Sequence, residues 1–162
     1  MTVRSARPAD IQVLCALYTE FHQFHVQGVP DRLRSTGPQG SDAVNADLKA
    51  VIASIIRGDD SAIFVAEPAG KIVGLAEVYF RRDEANPLRL SYSFGCLQSL
   101  VVQESHRSRG IGALLLRTAE DWAREKGAFE MRVETWEFEQ GPLPFYDRAG
   151  YRTLRRTLVR SL

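Results

Sequence analysis

The sequence predicts a single α+β domain in three layers, with helices on both faces of a mixed sheet. The hydrophobic period changes along the chain in the order β-α-α-β-β-β-α-β-α-β. Three consecutive strands stand beside strand–helix–strand units, which indicates both antiparallel and parallel neighbours in one sheet. The 162 residues show no repeat, low-complexity tract or linker, so one domain over 1–162 is expected. An α/β arrangement fits the same order, whereas a barrel or a solenoid does not.

The first 30 residues predict one strand and one helix. Residues 2–6 suit a short strand, and a helix follows over about 9–26. Apolar residues recur on this helix at helical spacing: Ile11, Leu14, Cys15, Tyr18 and Phe21. His22 and His25 fall on the same stripe, and Gly28 and Pro30 mark its end.

A loop and a second helix come next. Residues 28–41 contain three glycines and two prolines, which predicts a loop. The helical period returns over about 42–57, and Gly58 stops it. The predicted buried face of this helix consists of Val44, Leu48, Val51, Ile52 and Ile55.

Strand-like segments dominate the middle of the chain. Residues 61–67 and 71–81 are rich in β-branched and aromatic side chains and predict a hairpin. After a polar loop at 82–91, residues 94–102 predict a third long strand.

A helix, a strand, a short helix and a final strand complete the pattern. The helix spans about 110–126, the strand 129–136 and the short helix about 142–149. The first of these has a predicted buried stripe of Ile111, Leu115, Thr118, Ala119 and Trp122. The last strand should begin at Tyr151; its alternation of basic and apolar residues suits an exposed sheet edge or a dimer seam.

Composition excludes several classes of function. Hydrophobic residues make up 44%, charged residues 25%, and the net charge is +1, so neither a nucleic acid nor a membrane surface is an expected partner. No apolar run reaches the length of a membrane span, and the N-terminal residues lack the apolar segment of a secretory signal. Two cysteines, Cys15 and Cys96, without a Cys/His cluster argue against a metal site. These features fit a cytoplasmic protein.

The segment HRSRGIGALLL, residues 106–116, joins the third long strand to a helix. Helix N-termini present unpaired N–H groups and bind anions. Gly110 and Gly112 would let a phosphate approach the backbone, and Arg107 and Arg109 add cationic donors. A capped turn with surface arginines remains the alternative. Neither the nucleotide P-loop pattern nor the dinucleotide GxGxxG pattern fits, since Leu115 stands where the third glycine would be.

Over nearly its whole length the chain resembles the GNAT superfamily of acetyl-CoA-dependent N-acetyltransferases. The resemblance rests on LQSLVVQESHRSRGIGALLL at 97–116, which carries an R/Q-x-x-G-x-G signature, on PFYDRAGY at 144–151, and on the order of elements. It implies a mixed, mostly antiparallel sheet with a splayed central strand pair. It also implies an enzyme that moves acetyl from acetyl-CoA to a primary amine of a small molecule or peptide by direct attack, without a metal.

The resemblance also implies which residues hold acetyl-CoA. Main-chain groups of the central strand would line the pantetheine arm, with the Val102 N–H at the thioester carbonyl in an oxyanion-hole role. The loop and the helix start would bind the pyrophosphate. The implied set is Leu100, Val101, Val102, Arg107, Ser108, Arg109, Gly110, Ile111, Gly112 and Ala113. Glu139 stands where the family often has a CoA-facing Asn, so we expect it to point elsewhere.

Two candidates emerge for proton transfer. Tyr146 matches the family tyrosine that protonates the leaving thiolate, and Phe145 beside it could fill the packing role. Glu77 lies on strand 71–81 among apolar neighbours, where a carboxylate could serve as the base. A solvated glutamate at the sheet edge is the alternative reading of Glu77, and Glu134 is a weaker candidate base.

His25 is the candidate for binding the acceptor substrate. It lies on the first helix near loop 28–41, and the alternative is that both helix histidines simply hydrogen-bond that loop. A homodimer is possible. The competing function is a non-catalytic acyl-CoA sensor or regulatory module, and a phosphate-binding domain of another fold is a third.

Overall fold

The computed structural model describes residues 1–36 and 42–162, with side chains described for all of these except 42–44. The last five residues of the predicted loop 28–41 therefore lie outside the described part, as does the side chain of Val44. In chain order the elements are β1 (Thr2–Ser5), α1 (Ile11–Gly28), α2 (Asp42–Arg57), β2 (Ser61–Glu67), β3 (Gly74–Arg82), β4 (Ser93–Val102), α3 (Ile111–Glu125), β5 (Glu130–Val133) and α4 (Leu143–Arg148).

The strands form one sheet in the order β1-β2-β3-β4-β5. The pairs β1–β2, β2–β3 and β3–β4 are antiparallel, and β5 runs parallel to β4. The helical connection through α3 permits this one parallel pairing. The predicted α+β class with a mixed, mostly antiparallel sheet is confirmed.

The alternation of side chains along the strands gives the sheet two apolar faces, each covered by helices. On one face Leu14, Leu17 and Ile52 from α1 and α2 pack on Val65 and Leu75. The other face, covered by α3 and α4, has its own cluster: Phe64, Ala66, Val73, Ala76, Val78, Leu97, Ile111, Leu115, Leu116, Ala119 and Tyr146. The domain thus has the predicted three layers, and we refer to its α1/α2 face and its α3/α4 face.

A bulge in β4 splays the centre of the sheet. Glu77 pairs with Ser99 but Val78 pairs with Leu97, which leaves Gln98 as an extra residue in β4. The parallel pairing with β5 also ends at Leu97. Because a bulge bends the strand that carries it, β4 diverges from β5 beyond this point. The splayed strand pair is therefore present, and residues 98–102 have no described strand on their outer side.

Two predictions about individual elements are wrong. No strand begins at Tyr151: residues 151–162 are without regular secondary structure. Val51, predicted on the buried face of α2, is 54% exposed, whereas Ile52 and Ile55 are buried. An α2 that packs on only one side buries a narrower stripe than its apolar content suggests.

No helix among the described residues is long and apolar enough to cross a membrane. Within the same residues, no three His, Cys, Asp or Glu side chains come close enough to form a metal-binding group.

Candidate active site

The loop between β4 and α3 presents a row of unpaired main-chain donors. Ser108 and Gly110 both have positive φ, of 61° and 77°, which turns the chain sharply into the helix. Gly110 is the N-cap of α3 and has no side chain with which to cap it. Every main-chain N–H from Ser108 to Ala113 lacks a hydrogen-bond partner among the described residues. This arrangement can bind an anion, because the N–H groups converge at the positive end of the helix dipole.

The side chain of Arg107 braces the loop against α1. Its Nε donates to the carbonyl of Val102 at 3.0 Å, and its Nη2 lies 3.3 Å from the Glu20 carboxylate. Its guanidinium also lies over the Phe24 ring, 5.6 Å from the centroid. Arg107 therefore helps to hold the shape of the loop, and its role as a phosphate donor stays a prediction. Arg109 is exposed and makes no ion pair with a described residue.

The outer edge of β4 offers main-chain groups next to this loop. The Gln103 N–H donates to the Val73 carbonyl at 2.8 Å, so alternate residues beyond the bulge point their backbone groups towards β3. By the antiparallel alternation, Leu100 and Val102 point theirs the other way, into the gap left by β5. The side chains of Leu100 and Val102 pack in the cluster of the α3/α4 face. The gap is thus lined by polar backbone and apolar side chains.

Tyr146 lies in that same cluster. It is 7% exposed, and its ring packs 5.5 Å from that of Tyr151 and 5.2 Å from that of Phe145. Burial raises the pKa of Tyr146 to about 12. Its hydroxyl has no hydrogen-bond partner among the described residues, whereas the Tyr151 hydroxyl donates to Glu120 at 2.8 Å.

Phe145 packs against the same cluster, as predicted, and also lies beside the glycine loop. It is only half-buried, and its ring lies 3.5 Å from where a Cβ on Gly112 would be. Both rings pack in this cluster: Tyr146 is buried within it, and Phe145 lies at its margin beside the glycine loop. A Cβ at position 112 would make ordinary van der Waals contact with Phe145 and Val102.

Glu77 is buried on the α1/α2 face, and the alternative of a solvated edge residue is wrong. It is 5% exposed. Three hydroxyls donate to its carboxylate: Tyr18 to Oε2 at 2.8 Å, Ser99 to Oε2 at 2.9 Å and Tyr79 to Oε1 at 2.7 Å. A buried carboxylate needs such donors in place of water.

The two tyrosines of this cluster are held in the protonated form. Burial raises the pKa of Tyr18 and of Tyr79, and the adjacent Glu77 carboxylate raises both further. Both phenols therefore act as hydrogen-bond donors at neutral pH. Glu77 is left as the acceptor at the centre of three hydroxyls, one of which comes from α1 and two from the central strands.

His25 belongs to an aromatic group at the end of α1. Its Nδ1 lies 2.9 Å from the Phe21 carbonyl, which can only accept, so Nδ1 carries the proton. The imidazole ring contacts those of Phe21, Phe24 and Phe138 at centroid distances of 4.4, 5.3 and 6.1 Å. His25 therefore bonds within its own helix, whereas the Nε2 of His22 lies 2.7 Å from the Arg34 carbonyl in the following loop.

Two clefts flank Phe24. The larger, about 730 Å³, lies between α1 and the β4–α3 loop and is lined by Glu20, Gln23, Phe24, Gln27, Lys71, Gln103, Glu104, Ser105 and Arg107. The smaller, about 280 Å³, lies between the end of α1 and the segment after β5. Its lining combines the rings of Phe24 and Phe138 with the polar side chains of Gln27, Glu139 and Gln140. Glu139 thus faces a cleft at the end of α1.

The sequence missed the partners of Glu77. Tyr18 falls on the apolar stripe predicted for the first helix, and no local pattern links Ser99 to Glu77. One signal was available: Tyr79 follows Glu77 by two residues and shares its face of β3. The contact with Tyr18, 59 residues away along the chain, depends on how α1 packs and had no local signal.

Comparison with known proteins places this geometry in context. The sequence profile of the acetyltransferase (GNAT) family matches residues 19–151. An uncharacterized N-acetyltransferase of Bacillus subtilis, YhfO, is 25% identical over 93% of this chain and 89% of its own length. The streptothricin acetyltransferase of Streptomyces lavendulae is 29% identical over 78% of this chain, which spans 56% of that protein.

Solved structures share the fold. A mutant of the Bacillus halodurans protein BH1408 superposes with a TM-score of 0.89 at 21% identity, covering 100% of this chain and 99% of that one. The aminoglycoside acetyltransferase AAC(6')-Iy, in complex with the bisubstrate analogue CoA-S-monomethyl-acetylneamine, superposes with a TM-score of 0.75 at 20% identity, covering 99% and 97%.

Proposed function

Because the chain belongs to the GNAT family and is an acyl-CoA-dependent N-acetyltransferase, we propose that it acetylates a primary amine of a small molecule or peptide by direct attack. The observation that carries the proposal is the unpaired N–H row from Ser108 to Ala113 beside the open edge of β4. A ligand with a diphosphate and a thioester arm needs both features side by side, since the N–H row can bind the diphosphate and the strand edge can line the arm.

The residues present fit acetyl-CoA. Gly110 has open space around its Cβ position, so the approach to the α3 N-terminus is clear. The loop residues 107–113 would bind the pyrophosphate through N–H groups. The backbone groups of Leu100 and Val102 would line the pantetheine arm, with the Val102 N–H aimed into the gap as an oxyanion donor, whereas those of Val101 face β3. Bound there, acetyl-CoA supplies the acetyl thioester that the amine attacks.

Tyr146 is the proposed acid. Among the described residues its hydroxyl has no hydrogen-bond partner, and its ring lies in the cluster against which Leu100 and Val102 pack. With a pKa of about 12 it keeps its proton at neutral pH and can give it to a departing thiolate within hydrogen-bond reach.

Glu77 is the proposed base, acting through a hydroxyl. Its buried carboxylate has three hydroxyl donors, so an amine need not touch it directly. A hydroxyl of Tyr79 or Ser99 can take a proton from the attacking nitrogen while its own proton passes to Glu77. The acid and the base then lie on opposite faces of the sheet, so the amine would enter from the α1 side and the thiol would leave from the α4 side.

The smaller cleft is the proposed acceptor site. A substrate amine is a cation before it reacts, and the faces of Phe24 and Phe138 together with the Glu139 carboxylate suit a cation. His25 packs on the same rings and, with Nδ1 protonated, leaves Nε2 of its neutral form free to accept a hydrogen bond from the substrate. AAC(6')-Iy is named as an aminoglycoside N-acetyltransferase and the Streptomyces lavendulae relative as a streptothricin acetyltransferase, which supports a small-molecule acceptor.

Paired glycine variants test the donor site. Gly110 and Gly127 stand at opposite ends of α3, both with positive φ and with open space around the Cβ position. Gly110→Asp adds a carboxylate where the phosphates would bind, so acetyl-CoA affinity should fall at least tenfold in calorimetry. Gly127→Asp carries the same backbone strain and charge and should bind like wild type.

Equal binding by both variants, or none by the wild type, would refute the donor site. An amine panel with detection of released CoA thiol then separates catalysis from mere binding. Acetyl-CoA binding without thiol release for any amine would favour the sensor or regulatory module.

A further inference from the structure

Arg81 is an exposed cation close to the proposed hydroxyl relay to Glu77. Its guanidinium lies over the ring of Tyr79, 5.1 Å from the centroid, and the Tyr79 hydroxyl donates to Glu77 at 2.7 Å. Side chains two residues apart on a strand share a face, so the three residues form one row on the α1/α2 face of β3. Arg81 makes no hydrogen bond or ion pair with a described residue, so its charge is available to a ligand beside the relay.

The helices leave this end of the α1/α2 face partly open. Arg81 pairs with Phe94 of β4, and Tyr79 pairs with Cys96. Phe94 and Cys96 belong to a central strand, yet both are partly exposed, whereas Ser99 further along β4 is buried. A small molecule can therefore reach Arg81 and Tyr79 from the same side of the sheet.

The neighbouring cation on this face, Arg132 of β5, already has carboxylate partners. It donates to the two oxygens of Asp83 at 2.9 and 2.8 Å and to Glu130 at 2.6 Å. Of these two guanidinium groups, Arg81 is the one without a carboxylate partner among the described residues. An anionic group on a ligand would supply that partner.

The proposed position of the reacting amine lies between Arg81 and the smaller cleft. Arg81 lies level with the start of β4, whereas Phe24 of the cleft lies over Arg107, beyond the end of that strand. Glu77 and its hydroxyl donors lie between these two ends. An acceptor that reaches the relay from the cleft therefore meets Arg81 on the far side.

We propose that Arg81 binds an acidic group of the acceptor, so that the substrate is a small amine with a carboxylate or a phosphate near its nitrogen. The inference rests on the proposed function and extends the acceptor site along β3. A guanidinium presents paired N–H donors that match either anion. Arg81 and Tyr79 stand two residues apart on one strand, about 7 Å between Cα atoms, so roughly two to four carbon atoms fit between the amine and the acid.

Matched pairs of amines test the preference in the wild type. We compare γ-aminobutyrate with butylamine and phosphoethanolamine with ethanolamine, each with acetyl-CoA and detection of released CoA thiol. We expect kcat/KM to be at least tenfold higher for the acidic member of one pair or both, and the two pairs distinguish a carboxylate site from a phosphate site. Because Arg81 is exposed and salt screens charges beyond about 8 Å at physiological ionic strength, the preference should shrink as salt is added.

Arg81→Gln and Arg82→Gln are a matched pair of variants. Both remove an exposed guanidinium from β3, but the alternation of the strand places Arg82 on the opposite face, where it lies over Phe80. Arg81→Gln should bring the two members of each amine pair to nearly equal kcat/KM, mainly through a higher KM for the acidic one. Arg82→Gln should keep the wild-type preference. The charge reversal Arg81→Glu should favour the diamine putrescine over γ-aminobutyrate.

The outcomes separate this inference from the proposed function. Thiol release with amines that lack an acid, but no preference for the acidic ones in the wild type, would overturn the role of Arg81 and leave acetyl transfer standing. An equal loss of preference in Arg81→Gln and Arg82→Gln would overturn it too, because surface charge in general would then be the cause. No thiol release with any amine would refute the proposed function, and the role of Arg81 with it.

Discussion

Tyr146 and Glu77 lie on opposite faces of the sheet, and the surroundings of each suit one direction of proton transfer. Tyr146 is buried without a hydrogen-bond partner among the described residues, so its proton is available to a ligand. Glu77 is buried with three donors, so its carboxylate is positioned to accept. Both residue types could be chosen from the sequence, Tyr146 by family resemblance and Glu77 by its place in an apolar strand. Their surroundings could not, because these come from elements distant along the chain.

Removing either group should slow turnover without weakening the donor site. We expect Tyr146→Phe and Glu77→Gln each to lower kcat by about 10²-fold or more, the usual contribution of a positioned acid or base. The calorimetric affinity for acetyl-CoA should remain at the wild-type value, because neither side chain belongs to the N–H row.

Tyr151→Phe is the matched control for Tyr146→Phe. It deletes a hydroxyl from the neighbouring ring, but that hydroxyl is committed to Glu120. It should cost some stability, on the order of 1 kcal/mol for one hydrogen bond, with kcat unchanged. If Tyr151→Phe and Tyr146→Phe slow turnover equally, Tyr146 is a packing residue only.

At the scale of elements, the bulge at Gln98 marks the point in β4 beyond which its outer edge is not paired with β5. The helices and strands through α4 follow from hydrophobic period, turn residues and glycines, all of them local signals. The bulge at Gln98 is set by register against β3, which no local pattern reports. Local patterns also fail at residues 151–162, where the sequence predicts a strand, because a strand forms only where its backbone can pair with the edge of another strand.

Because Gly28 has no side chain, the end of α1 packs closely against Phe138 in the segment after β5. A Cβ on Gly28 would lie 2.5 Å from two ring atoms of Phe138, so the ring packs directly on the helix backbone. Gly28→Ala should displace Phe138 and cost about 1–3 kcal/mol, as overpacking does. Since Phe138 lines the proposed acceptor cleft, KM for the amine should rise while acetyl-CoA affinity is unchanged.

A double-mutant cycle with Phe138→Ala isolates this contact. The truncated ring leaves room for the added methyl, so Gly28→Ala should cost little stability in the Phe138→Ala background in urea unfolding. Additive losses would show that the Gly28–Phe138 contact does not position the end of α1.

For the whole molecule, the buried phenols set a limit on stability at high pH. The pKa of Tyr18, Tyr79, Tyr146 and Tyr151 is raised above the ordinary value of 10 by burial, and carboxylates raise those of Tyr18, Tyr79 and Tyr151 further. Below pH 10 these tyrosines are protonated in both the native and the unfolded chain. Above it the unfolded chain loses phenol protons that the native chain keeps, so unfolding releases protons and becomes more favourable as pH rises.

The free energy of unfolding should therefore decline from about pH 10 upwards, and its slope counts the phenols involved. Each tyrosine that ionises only on unfolding contributes up to about 1.4 kcal/mol per pH unit. Urea unfolding between pH 9 and 11 measures the slope in the wild type and in Tyr18→Phe, which should be less steep by up to one such increment. Tyr18 lies where α1 meets the central strands, so an unchanged slope in Tyr18→Phe would mean that its phenol ionises as readily in the native chain as in the unfolded one. The α1 contact with Glu77 would then open below the global unfolding transition, and the proposed base would be reached by water without a hydroxyl relay.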